Sequence, residues 1–151
     1  MEKAKIKEKL LEFNNILKES DDIYRNTTKT LGLSDSAFWI LYTFRTVKEV
    51  LTLSEICNTL YVPKQTVHSA LKKMKDDGYI RLEEETDDRR TKLITLTAEG
   101  KKIAEETADK VVALECRALL GMTEKEREDF VNLFRKYIDL LRINMLELHA
   151  R

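Results

Sequence analysis

Residues Pro63 to Thr97, PKQTVHSALKKMKDDGYIRLEEETDDRRTKLITLT, decide how the rest of this chain is read. They spell a helix, a glycine stop and a β-hairpin with a charged tip. Proline has its φ preset for a first helical turn, and a glycine placed as Gly78 is ends a helix in the left-handed conformation. Between the two, Val67, Leu71 and Met74 recur at i, i+4 and i+7, which makes one apolar stripe to bury. Gln65, His68, Ser69 and Lys72 share another face, and each can hydrogen-bond. Lys64, Lys72, Lys73 and Lys75 flank that face, and no acid interrupts the helix before Asp76. A helix with one core stripe and one basic, hydrogen-bonding stripe suits the DNA major groove. After Gly78, Tyr79 to Leu82 and Lys92 to Leu96 alternate as strands do, and the turn between them holds Asp87, Asp88, Arg89 and Arg90.

Upstream, Thr52 and Glu55 form a capping box for a short helix, Leu53 to about Leu60. Tyr61 and Val62 make a tight turn before Pro63, so the spacing is that of a helix-turn-helix. Ser34 is an N-cap candidate for a helix from Ala37 to about Val47. That helix is apolar nearly all round (Phe38, Trp39, Ile40, Leu41, Phe44) and belongs at the centre of the fold. From Lys3 to about Thr30, Ile6, Leu10, Phe13, Leu17 and Tyr24 keep a helical period until Gly32. Downstream, Thr97 caps a helix expected to run unbroken to about Leu120, with Ile103, Thr107, Val111, Leu114 and Ala118 as its stripe. After Gly121, Thr123 and Glu126 make a second capping box for a last helix carrying Phe130, Phe134, Tyr137, Leu141, Met145 and Leu148. These terminal helices bear more apolar stripe than a small lobe covers, and the simplest partner is a second copy.

Asp88-Arg89-Arg90, followed by Leu96-Thr97 and then Gly100, resembles the D-x-R-x-x-x-x-x-L-T-x-x-G wing pattern of the MarR family (multiple antibiotic resistance regulators). Thr66-Val67, Leu71, Met74 and Gly78-Tyr79-Ile80 are similar to that family's recognition helix, and element order and length agree over the whole chain. The resemblance implies a mainly α fold of six helices with a small β-hairpin wing. It implies a winged helix-turn-helix lobe over residues 34–97 and dimerisation helices over 3–30 and 98–148. It also implies a homodimeric DNA-binding transcriptional regulator, most often a repressor, on a pseudo-palindromic double-stranded operator.

On that reading Gln65, His68 and Ser69 face base edges and Lys64, Lys72 and Lys73 meet phosphates, with Thr66 able to do either. Arg90 enters the minor groove. By resemblance Asp88 orients it, and Arg89 and Lys92 lie near the DNA backbone. In the family, small aromatic acids and phenols bind between the dimerisation helices and the DNA-binding lobe. Tyr24, Trp39, Tyr42 and Arg45 are the residues here that can stack on such an effector and pair with its anion. Taken singly, each is more simply a core or interface residue.

Composition closes other routes. In 151 residues, hydrophobic content of 42% with 36% charged side chains suits one helix-rich domain. Zero net charge speaks against indiscriminate polyanion binding and leaves a local basic surface open. Glu83, Glu84, Glu85 and Asp87 beside the wing oppose phosphate contact and sustain a rival reading, a winged-helix protein–protein adaptor. No apolar run approaches a membrane span, no signal peptide is expected, and a cytoplasmic setting suits two cysteines in helical patterns. Cys57 and Cys116 read as core thiols. Cys57, His68, Cys116 and His149 include no ligand pair at i, i+3 or i, i+4, so no metal is expected. No phosphate loop, nucleophile motif or apolar-context carboxylate pair is present, so neither a catalytic residue nor a cofactor is expected.

Overall fold

The computed structural model describes residues 2–60, 62–84 and 91–148. They form helices α1 (Glu2–Thr30), α2 (Asp35–Thr46), α3 (Leu53–Leu60), α4 (Lys64–Asp76), α5 (Ala98–Glu106), α6 (Ala108–Leu120) and α7 (Glu124–Met145). Strands β1 (Val50–Thr52), β2 (Ile80–Glu84) and β3 (Lys92–Leu96) complete the set. Two compact units result, Met1–Lys110 and Val111–Arg151. None of the described helices is long and apolar enough to cross a membrane.

In the first unit the core is built on α2, as its all-round apolar sequence requires. Phe38, Ile40, Leu41 and Phe44 are buried together with Leu51, Ile56, Ile80 and Ile94. From α4 exactly the expected stripe joins them, Val67, Leu71 and Met74. Local chemistry sets the boundaries. Ser34 accepts from the Ala37 N–H, and the Thr52 and Glu55 capping box closes in both directions at 2.9 and 3.2 Å. Gly32 and Gly78 adopt φ of 73° and 79°, and each ends its helix with the six-to-one bond of a Schellman turn (Leu33 N–H to Thr28 O, Tyr79 N–H to Met74 O). Pro63 stands one residue earlier than its sequence suggests. It is the N-cap of α4, with ψ of 137°, and its carbonyl accepts from Thr66 and Val67.

The sheet is antiparallel in the order β1-β3-β2. The hairpin was legible; β1 was not, because Val50-Leu51-Thr52 becomes a strand only by pairing with Thr95, Ile94 and Leu93. Register pairs Ile80 with Leu96 and Leu82 with Ile94, so one face of the hairpin continues the core outward.

Where one helix was expected from Thr97 to Leu120, the chain is interrupted at Thr107, giving α5 and α6. The Thr107 hydroxyl donates to the Ile103 carbonyl at 2.6 Å, as other threonines of this chain do to the i−4 carbonyl within continuous helices. The Thr107 N–H turns to Ala104 O, and the residue leaves helical geometry at φ −125°, ψ −79°. Counted as one interrupted helix, the set is the six that were expected.

In the second unit, α7 begins at the Thr123 and Glu126 capping box, again closed in both directions. The Thr123 N–H, followed by its hydroxyl, holds the Glu126 carboxyl below the usual carboxylate range. Arg127 donates to the Met122 and Leu119 carbonyls and fixes the turn before the helix. No residue of α7 is buried. Cys116 is exposed and Cys57 half-buried, so the expectation of two core thiols is corrected for Cys116. Its helical pattern gave a period but not a neighbour to face.

Candidate nucleic-acid interface

Burying Val67, Leu71 and Met74 turns the remainder of α4 outward. Lys64, Gln65, Thr66, His68, Ser69, Lys72 and Lys73 are all exposed, and Pro63 sets where this surface begins. Two of these side chains are not equal to their neighbours. The Ser69 hydroxyl donates to the Gln65 carbonyl at 3.0 Å, so its oxygen is left to accept. Lys73 pairs with Asp77 at 2.8 Å one turn on. The hydrogen bond that Lys73 donates to Asp77, then the charge of Asp77, raises the ammonium above its ordinary pKa. Lys64 and Lys72 have no ion pair among the described residues.

The hairpin is fastened to the end of α4 by one hydroxyl. Thr97 Oγ1 donates to the Gly78 carbonyl at 2.5 Å and accepts from the Gly100 N–H at 3.0 Å, while the Thr97 N–H donates to the Tyr79 carbonyl. A Cβ at Gly100 would sit 1.9 Å from that same Tyr79 oxygen. Leu96-Thr97-x-x-Gly100 is therefore a joint: threonine caps α5 and ties down the α4 terminus, and glycine lets the backbones meet. Lys92 is exposed at the root of β3, opposite Glu84 in register. Asp88, Arg89 and Arg90 lie outside the described residues, as do Glu85, Asp87, Tyr61 and His149.

The four residues assigned to an effector split. Tyr24, Trp39 and Tyr42 come together, with ring centroids 5.1 Å (Tyr24 to Trp39) and 5.2 Å (Trp39 to Tyr42) apart, and Phe38 packs 5.0 Å from Trp39. Arg45 instead grips Asp109 through both ends of its fork, Nε to Oδ1 at 2.7 Å and Nη2 to Oδ2 at 2.6 Å. This bond raises the guanidinium pKa further and occupies its anion-binding edge. Asp109 was missed because 64 positions separate it from Arg45. Among the described residues no group of three or more His, Cys, Asp or Glu side chains could hold a metal ion.

Sequelogues agree with this architecture. The MarR family model matches residues 31–91, from the end of α1 to the wing. The uncharacterized HTH-type transcriptional regulator YwoH of Bacillus subtilis (strain 168) is 32% identical over 107 residues, 71% of this chain and 77% of its own. Among solved structures, NMB1585, a MarR family regulator from Neisseria meningitidis, superposes with a TM-score of 0.79 at 21% identity, covering 92% of this chain and 97% of its own. BpsR of Bordetella bronchiseptica, whose DNA binding is regulated by 6-hydroxynicotinic acid, gives 0.63 at 20% identity, covering 83% and 98%. At these identities the two structures speak for the fold, and YwoH together with the family match speaks for kinship. With the recognition-helix face, the three-stranded winged sheet and the Thr97–Gly100 joint, the chain is a member of the MarR family of transcriptional regulators.

Proposed function

We propose that the chain acts in the cytoplasm as a homodimer on a pseudo-palindromic operator, as a repressor that a small aromatic or phenolic ligand releases. The observation that carries this reading is the outward face of α4. Lys64, Gln65, Thr66, His68, Ser69 and Lys72 are exposed together on the second helix of a helix-turn-helix, with no acid among them. Residues 34–97 form the DNA-binding lobe, and helices within 3–30 and 98–148 hold the dimer. Two recognition helices then enter major grooves about one helical turn apart. Arg90, oriented by Asp88, reaches the minor groove on each side, with Arg89 and Lys92 along the backbone. The clustered rings of Tyr24, Trp39 and Tyr42 supply a stacking surface for the ligand, and its anion competes with Asp109 for Arg45. Regulation of BpsR by 6-hydroxynicotinic acid supports an effector of this size.

Fluorescence anisotropy with operator and random duplexes, each over a range of salt, tests the DNA contact. Lys72→Ala should weaken binding to both duplexes and reduce the log–log salt slope by about one unit per protomer, one phosphate neutralisation lost. Lys73→Ala should change the slope less, since Asp77 already compensates that charge. Gln65→Ala should cost about 1–3 kcal/mol per half-site on operator alone and flatten sequence preference. Salt-insensitive binding, or none, would hand the fold to the adaptor reading.

A further inference from the structure

In a continuous helix each N–H bonds the carbonyl four residues back, so one turn aims the next. At Thr107 that ladder stops, because its N–H goes to the Ala104 carbonyl at 3.3 Å. The aim of α6 therefore has to come from side chains. Ala104 and Ala108, on either side of the break, both lie in the core, but a methyl group holds position better than direction. The directional tie is the fork of Arg45 on Asp109, whose two parallel bonds fix angle as well as distance. Asp109 is the second residue of α6 and stands one position before the first unit ends at Lys110. Glu105 and Glu49 also draw on the guanidinium. Since Glu105 belongs to α5, Arg45 has carboxylates on both sides of the break and bonds the far one.

The other end of α2 carries a second tie. Asp35, its first residue, accepts from the Thr28 hydroxyl of α1 at 2.5 Å. Thr28 is buried, and its carbonyl accepts from the Leu33 N–H. That elbow is closed by backbone and side chain together, whereas the break at Thr107 depends on the fork.

We infer that Arg45 and Asp109 are positioning residues for operator binding: their fork holds the first turn of α6 on α2 and so fixes which half-site spacing the protein accepts. On the function proposed above, the chain that continues from that turn belongs to the dimer. Its aim then sets the separation at which two α4 helices meet DNA. The operator half of the inference rests on that reading; the tie itself does not. Without the charge of Asp109, Arg45 turns to Glu105, α5 stays in place and the first turn of α6 is free to swing. The two side chains are 27% and 35% exposed, so the pair adds little to folding stability.

The test uses the full-length protein with Asp109→Asn, Asp109→Glu and Arg45→Lys. Its probes are a duplex selected from random DNA by the parent, copies with a few base pairs inserted between the halves, and a duplex holding one half alone. Asp109→Asn should bind the single half like the parent and lose about tenfold on the selected duplex, where the second half-site is no longer pre-aimed. It should also lose far less than the parent does when base pairs are inserted. Arg45→Lys keeps the charge without the fork and should share this relaxed spacing, while Asp109→Glu keeps a forked partner and should follow the parent. Deuterium uptake across residues 104–110 gives a reading without DNA. It should be faster in Asp109→Asn and Arg45→Lys, and parental in Asp109→Glu. Parental spacing discrimination in Asp109→Asn, an equal loss on the single half, or unchanged uptake would each overturn the inference. A parent that binds no duplex, or binds the selected duplex no better than its half, would overturn the function proposed above, and the uptake comparison then decides the tie alone.

Discussion

Replacing Gly100 by alanine should lower the melting temperature by roughly 10 °C, corresponding to about 3 kcal/mol or more. The added methyl would lie 1.9 Å from the Tyr79 carbonyl oxygen, a backbone atom with no rotamer to move into. Relief requires α5 to shift from the α4 terminus, and that shift breaks the Thr97 bonds to Gly78 and Tyr79 as well. Gly78→Ala is the control. It has open space around it and only a left-handed φ of 79° to strain, so about 1–2 kcal/mol is expected there. Paired thermal melts decide the matter. A Gly100→Ala protein as stable as Gly78→Ala would mean that the close approach carries no energy.

The second large effect belongs to α7. Phe130 and Phe134 stack at 6.4 Å with planes 6° apart, and Phe130, Val131, Leu133 and Ile143 are each more than half exposed. If this surface holds the proposed dimer, Phe130→Glu with Phe134→Lys should halve the sedimenting mass from twice 17.7 kDa to one chain. Operator affinity should fall about a hundredfold or more, because the second half-site loses its tether. The charges are ordered so that Glu precedes Lys by one turn, an arrangement that supports an isolated helix. Unchanged helicity by circular dichroism with a changed mass therefore isolates the interface. A double variant that still sediments as a dimer would remove α7 from it.

Much of this was written locally in the chain. The two capping boxes, the two glycine stops and the α4 stripe each depend on residues within a turn of one another, and each stands where its pattern puts it. What sequence could not supply came from distance or from backbone geometry. Strand β1 exists only through β3, and Asp109 reaches Arg45 across 64 positions. Thr107 continues an apolar period perfectly well, and the break there shows only in its backbone, where its N–H turns to the Ala104 carbonyl. Gly100 was visible as part of a pattern, but its reason is the Tyr79 oxygen. The outward polar side chains of α4 were legible as a surface, whereas the pairing of Lys73 with Asp77 was not.

The joint at Thr97 has a consequence for how such a regulator diversifies. Its bonds run among Gly78, Tyr79, Thr97 and Gly100, and four of the five atoms that accept or donate in them belong to the backbone. Among the described residues the joint draws on no side chain but that of Thr97. The outward side chains of α4 can therefore change while its terminus stays tied, so selection can retune what that helix touches without relearning the fold. Duplicated copies would be expected to part company first on that outward face and last in the joint.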